Sequence, residues 1–340
     1  MAKDFIVAIE LGSSKITGIA GKKNPDGSIT VLSVAKEDSK ACMRKGVVYN
    51  IDKTAQALTN IINKLKGSLQ TDIARVYVGV GGQSLKGVKN VVVKDLPADS
   101  IVTQDIVNEL MDTNRNMKNN DYEVLDAITQ EYKVDMLDEL NPVGVQACHI
   151  EGNFLNLLWR KTFNRSLNKC FDNAGIPIVE MYVTPLAMAE EILTEAEKCA
   201  GCMLVDLGAD TTTVAIYTRD ILRHLFVLPL GSNNITKDLT ALKMEEREAE
   251  AMKLKYASAY TEVADIDDSM VWAIDNNRSV NSRLFIDVVE ARVLEIIANV
   301  WYLVPTEYTD KLLGGIILTG GGSNLKNIDE AFRRHTHIDK

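Results

Sequence analysis

No stretch of the 340-residue chain approaches the ~18 consecutive apolar residues that a membrane-spanning helix needs. An export signal is missing as well: Asp4 stands where its apolar core would be, and a strand-like run begins within a few residues of Met1. The chain is therefore expected to stay in the cytosol. Cysteine is scarce, five residues widely spread, and the odd count argues against a disulfide framework. Cys199-Ala-Gly-Cys202 has no second pair to complete a zinc site and leads into a strand rather than opening a helix. His335-Thr-His337 reads as an exposed tail. Asp265, Asp267 and Asp268 fail as a calcium loop because Met270 and Asn276 fill its sixth and twelfth positions. Positive charge is also in deficit, with 38 Lys and Arg against 47 Asp and Glu, a net charge of −9 and a pI near 5.1. That balance excludes a general nucleic-acid surface and leaves room for one local basic patch. With 46% hydrophobic and 25% charged residues the composition is that of a soluble protein, long enough for two or more domains.

What the chain does have is a stretch that occurs twice. In Cys202 to Tyr217, CMLVDLGADTTTVAIY, the apolar run Met203, Leu204, Val205 meets Asp206, then Gly208 and Ala209, then Asp210, Thr211 and Thr212. This pattern predicts a phosphate-gripping β-hairpin. Gly208 has no side chain to block an anion, the residues after it turn the chain and offer N–H and hydroxyl donors, and Asp206 at the strand end faces Mg²⁺ or its waters. Phe5 to Gly21, FIVAIELGSSKITGIAG, superposes on it at an offset of 196 residues, with Glu10 on Asp206, Gly12 on Gly208 and Lys15 on Thr211, and with Ser13 and Ser14 in the turn. A repeat at that distance marks a duplicated fold whose halves face each other across a cleft, one hairpin from each, where a nucleoside triphosphate fits. A third piece, Gly314 to Asn324 (GGIILTGGGSN), runs an apolar strand into Gly320, Gly321 and Gly322, bare backbone that can approach a purine and ribose.

Between these pieces the periodicity predicts a core helix carrying Ile51, Leu58, Ile61 and Leu65, with Asn50 as cap and Gly67 as stop, and then a strand from Arg75 to Gly82. A small α+β insertion follows: a β-rich run at 88–96, a helix capped by Thr103, and strand-like runs at 122–135 and 143–151. Trp159 to Ala174 reads as a helix ended by Gly175, Ile178 to Val183 as a strand, and Pro185 as the start of a helix continuing to Ala196. Ser232 opens a long helical region reaching Tyr256, in which Glu250 and Lys253 share a face. Phe285 to Val304 forms a last apolar stripe, with Arg278, Arg283 and Arg292 in or before it, a grouping that invites an acidic partner.

Two acid-glycine hairpins followed by a strand and TGGG resemble the actin-like ATPase superfamily, with its two phosphate loops and adenosine loop. The detail is similar to the bacterial cell-division FtsA family: Glu10 where most relatives carry Asp, then Thr129-Gln-Glu-Tyr-Lys-Val-Asp135, Leu222-Arg-His-Leu225, Ala249-Glu-Ala-Met-Lys253 and Val289-Glu-Ala-Arg292. The likeness runs from Phe5 to the last residue. It departs at Ala209, in a loop that is often all glycine, at Thr129 where Pro is common, and in an early end. The resemblance implies an α/β, duplicated actin-like (ribonuclease H-like) fold around a nucleotide cleft with an inserted α+β subdomain. Residues 1–82 and 162–197 would form the first half, 83–161 the insertion used for contacts between neighbouring molecules, 198–236 and 310–340 the second half, and 237–309 a nucleotide-capping and partner-binding subdomain.

The resemblance also implies ATP with Mg²⁺ and slow hydrolysis, Asp206 orienting the metal and its waters with Glu10 opposite. Gly231 would flank the phosphates, Glu250 and Lys253 would approach ribose and adenine beside Gly320, Gly321, Gly322 and Asn324, and the region of Arg278 and Arg292 would hold the acidic and apolar C-terminal tail of the tubulin-like protein FtsZ. Self-association into filaments and contacts with other division proteins are expected, with the complete protein at the cytoplasmic face of the plasma membrane at the septum. Alternatives are a pilus-assembly ATPase with the same insertion, or a small-molecule kinase of the superfamily. A complete chain would continue through a strand, a helix, a linker and a membrane-surface helix. Ile328 to Lys340 holds only Ile328, Ala331, Phe332 and Ile338 as apolar groups, too little for such anchoring. A chain cut short, or a shortened natural variant, is therefore expected, binding nucleotide less tightly than a complete one and not binding membranes unaided.

Overall fold

The computed structural model describes residues 5–265 and 267–338, and the side chain of Asp265 is not among them. Asp4 and the chain's last two residues lie outside the described residues. Two sheets built on one plan carry the molecule. The first runs in the order Ile178–Val183, Val76–Val80, Ile6–Leu11, Lys15–Lys23, Ile29–Asp38, and the second in the order Gly315–Thr319, Cys202–Leu207, Thr212–Thr218, Ile221–Leu228. In each, an antiparallel meander of three strands is extended on its first strand by a parallel one. In the first sheet the parallel crossover passes through helix Ile51–Leu69, onto which the alternation of Ile6–Leu11 turns Val7, Ile9 and Leu11, leaving Glu10 on the other side. The duplicated α/β fold read from the hairpins is the observed one.

The insertion is a four-stranded antiparallel sheet ordered Lys86–Ile101, Gln146–Arg160, Tyr122–Val134, Leu137–Glu139, with helix Gln104–Arg115 on it. Thr103 caps that helix, accepting from the Ile106 N–H at 3.4 Å. Phe154, Ile150, Val134 and Leu110 form a separate core there. Leu155 and Leu157 point the opposite way, into a cluster with Leu204, Ala215 and Leu225 of the second sheet and Ala189 of helix Thr184–Ile192. Helices Ser232–Leu239, Glu246–Tyr256 and Ser282–Leu303 pack over Leu239, Phe285 and Val289, in one core with Met203, Val205 and Ile216 of the second sheet.

The insertion strands expected at 88–96 and 143–151 run instead over Lys86–Ile101 and Gln146–Arg160, and four further differences from the sequence expectation have a local cause. Helix Ile51–Leu69 passes through exposed Gly67 and ends at left-handed Gln70 (φ 53). Glycine there costs about 1 kcal/mol, less than the ~1.5–3 kcal/mol gained by burying Leu69. Trp159 belongs to strand Gln146–Arg160, pairing with Glu123, and only its ring, edge-on to Phe163 at 5.8 Å, joins the helical stripe. The helix from Thr184 stops at Ile192, because Thr194 and Glu197 form a capping box that starts Glu195–Ala200. The long run to Tyr256 is likewise broken, at left-handed Lys243 and at Glu245, whose N–H donates to the Glu248 carboxylate at 2.9 Å as the next helix starts.

Candidate functional site

The two hairpins are copies at atomic detail. Glu10 pairs with Thr17 and Asp206 with Thr213, both offset by the same 196 residues. The Gly12 N–H donates to the Lys15 carbonyl at 3.1 Å and the Gly208 N–H to the Thr211 carbonyl at 2.9 Å. A Cβ on either glycine would meet that carbonyl oxygen at 2.7 Å, so the turn itself requires glycine. Between the turns lies a cleft of about 1060 Å³. The parallel strands deliver its other walls: Asp206 pairs with Thr319, bringing the triple glycine alongside, and Glu10 pairs with Gly79, bringing Gly81 and Gly82.

Glu10 and Asp206 face this space from opposite halves. The cleft walls strip bulk water from Glu10, and this, together with the negative charge of Asp206, pushes its carboxyl up to about 7 against the partial relief given by Lys15. Loss of solvent pushes Asp206 up to about 6. Two carboxyls held above their ordinary range chiefly by loss of solvent suit a divalent cation or its waters. Gly320, at φ 85, stands so that a Cβ would lie 2.2 Å from Asp206 Oδ1. Only glycine leaves that oxygen uncovered.

At the opposite end, Lys253 is not the exposed ion-pair member that i,i+3 spacing usually yields. It is 7% exposed, and its ammonium donates to Thr236 Oγ1 at 2.9 Å and to the Ser232 carbonyl at 3.2 Å while pairing with Glu250 Oε2 at 2.8 Å. Thr236 also donates to Glu250 at 2.5 Å. Burial pulls the Glu250 carboxyl upward, but the hydrogen bonds from Lys253 and Thr236 outweigh it and hold the group below its ordinary value. Glu250 and Lys253 both reach the cleft.

Of the residues singled out in the sequence, the cleft gathers Glu10, Gly12, Ser13, Ser14 and Lys15 from one side. From the other it gathers Asp206, Gly208, Ala209 and Thr211, with Gly320, Gly321, Gly322 and Asn324 beyond. Three singled-out residues do not line the cleft and are engaged with protein instead. Thr212 is fully buried and donates to the Leu230 carbonyl at 2.9 Å. Gly231 packs beneath the turn, where a Cβ would lie 2.6 Å from the Ala209 carbonyl oxygen. The Asp210 carboxylate accepts from Asn233 Nδ2 at 2.8 Å and from the Lys45 N–H at 3.1 Å.

Arg278 and Arg292 lie outside the cleft, each already paired. Arg278 contacts Glu248, Asp275 and the Lys243 carbonyl, and Arg292 contacts Asp238, at 2.5 Å from Nε, and Glu295. Sequence reasoning passed over Gly46, Gly82, Tyr256 and Lys326, which also line the cleft. The Gly81-Gly82 pair that ends the strand beside Glu10 was a visible signal, the counterpart of the glycines beside Asp206. Tyr256, stacked on Trp272 at 4.5 Å, gave none, because only the packing of Val271–Ala273 against the preceding helix brings the rings together.

Comparison with known proteins agrees with this geometry. The family description "Cell division protein FtsA" matches residues 203–339, and "SHS2 domain inserted in FTSA" matches residues 82–158, the inserted sheet. The cell division protein FtsA of Porphyromonas gingivalis is 32% identical over 333 residues, covering 96% of this chain and 70% of that protein. That of Escherichia coli K12 is 24% identical over 351 residues, covering 99% and 83%. Among solved structures, a chain of the PilM-PilN type IV pilus biogenesis complex superposes with a TM-score of 0.65 at 14% identity, covering 98% of this chain and 86% of that one. MreB5 of Spiroplasma citri bound to ADP superposes with a TM-score of 0.58 at 12% identity, covering 99% and 91%. At those identities the structural likeness speaks to the fold, which is actin-like. The family follows from the sequence relatives together with the matched insertion: the chain belongs to the cell division protein FtsA family.

Proposed function

We propose that the protein binds ATP with Mg²⁺ across this cleft, self-assembles head to tail, and tethers the FtsZ ring to the cytoplasmic membrane at the division site. The observation that carries this reading is the pair of identically closed glycine turns facing each other beside Glu10 and Asp206. Phosphates fit the turns at 12–15 and 208–211, where bare backbone, hydroxyls and the Lys15 ammonium are on offer. Asp206 would hold Mg²⁺ through its waters, with Glu10 on the other side. Glu250, Lys253, Gly320 to Gly322 and Asn324 form the ribose and purine end. Bound Mg²⁺ supplies charge compensation on the phosphates. The chain's own contribution is to fix the two turns and to present Asp206 and Glu10 to the space between them, which supports at most slow hydrolysis.

The insertion, residues 83–161, serves contacts between neighbouring molecules. Residues 237–309 cap the nucleotide and receive the FtsZ tail near Arg278 and Arg292, whose present carboxylate partners the acidic tail would displace or share. Attachment would place the protein at the cytoplasmic face of the membrane, at the septum. Helix Ile328–Thr336 turns Ile328, Ala331 and Phe332 into the core, and among the described residues no helix is long and apolar enough to cross a membrane. The pilus likeness is one of fold, and no feature of the cleft favours a kinase. Sedimentation velocity tests the assembly step: a shift to larger species with MgATP supports the reading, and an unchanged monomer at all protein concentrations contradicts it.

A further inference from the structure

We propose that Asp210 is a positioning residue that clasps the two phosphate turns together through the strap formed by residues 39–48, so that their spacing is set before any nucleotide arrives. This rests on the nucleotide reading of the cleft only for its consequence, and not for the contact itself. The strap is fixed to the first turn at three points. Fully buried Ser39 donates through Oγ to the Gly12 carbonyl at 2.7 Å and through its N–H to the Ser14 carbonyl at 3.2 Å, and the Gly46 N–H donates to Ser13 Oγ at 2.7 Å. At its tip the strap is packed closely against the first half. Gly46, at φ 72, lies against Gly82 so closely that a Cβ would stand 2.4 Å from the Gly82 Cα, and the Lys45 carbonyl accepts from the Gln83 N–H at 2.9 Å. Lys45 itself is left-handed, at φ 49. The consequence of that geometry is that its N–H points across the cleft.

The acceptor there is Asp210 Oδ2 at 3.1 Å, on the second turn, 165 residues away in the chain. Asp210 is held in its turn: Asn233 Nδ2 donates to the other oxygen at 2.8 Å, and the Asn233 N–H donates to the Ala209 carbonyl at 2.7 Å. A carboxylate held from behind and an amide held on both sides form one charge-assisted bond between the halves. A second cross-cleft pair, Lys40 with Glu246 at 3.5 Å, joins exposed side chains and contributes little. The Asp210 carboxylate is thereby used on protein and not on ligand, although its backbone forms part of the second turn. Because the turns are held at a fixed spacing, a nucleotide bridging them loses less freedom than one that must draw two free halves together.

The test reads the strap directly. Hydrogen exchange of residues 43–48 is followed in the nucleotide-free chain for the wild type, Asp210→Ala, Asp210→Asn and Asn233→Ala, alongside MgATP titrations. Asp210→Ala is expected to speed exchange at the Lys45 amide on the order of tenfold, the loss expected of one hydrogen bond to a charged acceptor, and to weaken MgATP by several-fold. Asp210→Asn keeps an oxygen for the Lys45 N–H while Asn233 turns its amide, and it is expected to restore both readouts. Asn233→Ala should fall between. Unchanged exchange in Asp210→Ala, or an Asn variant as impaired as the Ala variant, would overturn the clasp. Faster exchange in a chain whose wild type binds no nucleotide would uphold the clasp and remove the nucleotide reading instead.

Discussion

Gly320 approaches Asp206 so closely that the smallest side chain would stand 2.2 Å from the Asp206 Oδ1. The third glycine-rich element thus matters to the second carboxylate as much as to any purine. Gly320→Ala would combine that collision with the strain of a non-glycine residue at φ 85. It should reduce nucleotide affinity by tenfold or more, as read by calorimetry on a variant whose circular dichroism is native. Wild-type affinity in a folded Ala variant would remove Gly320 from the site.

The two cleft carboxyls give the chain a pH signature. Enclosure by the cleft walls, which leave part of Glu10 open, raises the folded-state pKa from 4.5 to about 7 for Glu10, with the Asp206 charge adding to it, and from 3.8 to about 6 for Asp206. In that window the folded state binds more protons than the unfolded one, so this contribution to stability is largest at acid pH. It declines as pH rises from roughly 4 through 7. A cation bound beside Asp206 would reverse the preference. The melting temperature of the ligand-free chain should therefore fall across this range more steeply than that of Glu10→Gln, and MgATP binding near pH 6.5 should release protons, seen as buffer-dependent heats. Identical pH profiles for wild type and Glu10→Gln would refute the shift.

Lys253→Met keeps the length of the side chain and removes the ammonium that Glu250, Thr236 and Ser232 share. Glu250 is left without its cation in a partly wet site, so a loss of about 1 to 3 kcal/mol in denaturant unfolding is expected. MgATP binding should weaken as well. Stability unchanged within error would mean that the network contributes nothing to the fold.

Arg292 is tied to Asp238 and Glu295, and the hydrogen bond to Asp238 is the chief cause that raises its guanidinium above the ordinary value. Arg292→Glu should weaken an FtsZ-tail peptide by about 1 to 3 kcal/mol, with Asp238→Asn as a control that frees the arginine and strengthens binding. Fluorescence anisotropy reads both. Equal affinity across wild type and variants would place the tail elsewhere.

The parts of the fold legible in the sequence were those with a local cause. The hairpin turns were visible because a turn that brings a carbonyl to 2.7 Å of a Cβ position admits only glycine, and the duplication preserved that demand at a constant offset. Element ends were less legible where two local signals competed. Gly67 reads as a stop until the burial of Leu69 outweighs it, and Trp159 shares the helical rhythm of its neighbours although the strand ladder continues to Arg160. Least legible were roles fixed by distant chain. Nothing near Asp210 in sequence announces that its carboxylate answers Lys45, and the i,i+3 spacing of Glu250 and Lys253 cannot reveal that Ser232 and Thr236 bury the pair.

The central claim is that one nucleotide binds across the duplicated turns with its metal on Asp206. Isothermal titration calorimetry of the chain with ATP, with and without Mg²⁺, tests this most directly, alongside Asp206→Ala. One ATP per chain, bound more weakly when Mg²⁺ is withheld, and a variant that has lost the Mg²⁺ dependence, is the predicted result. A natively folded wild type indifferent to millimolar ATP in the presence of Mg²⁺ would contradict it.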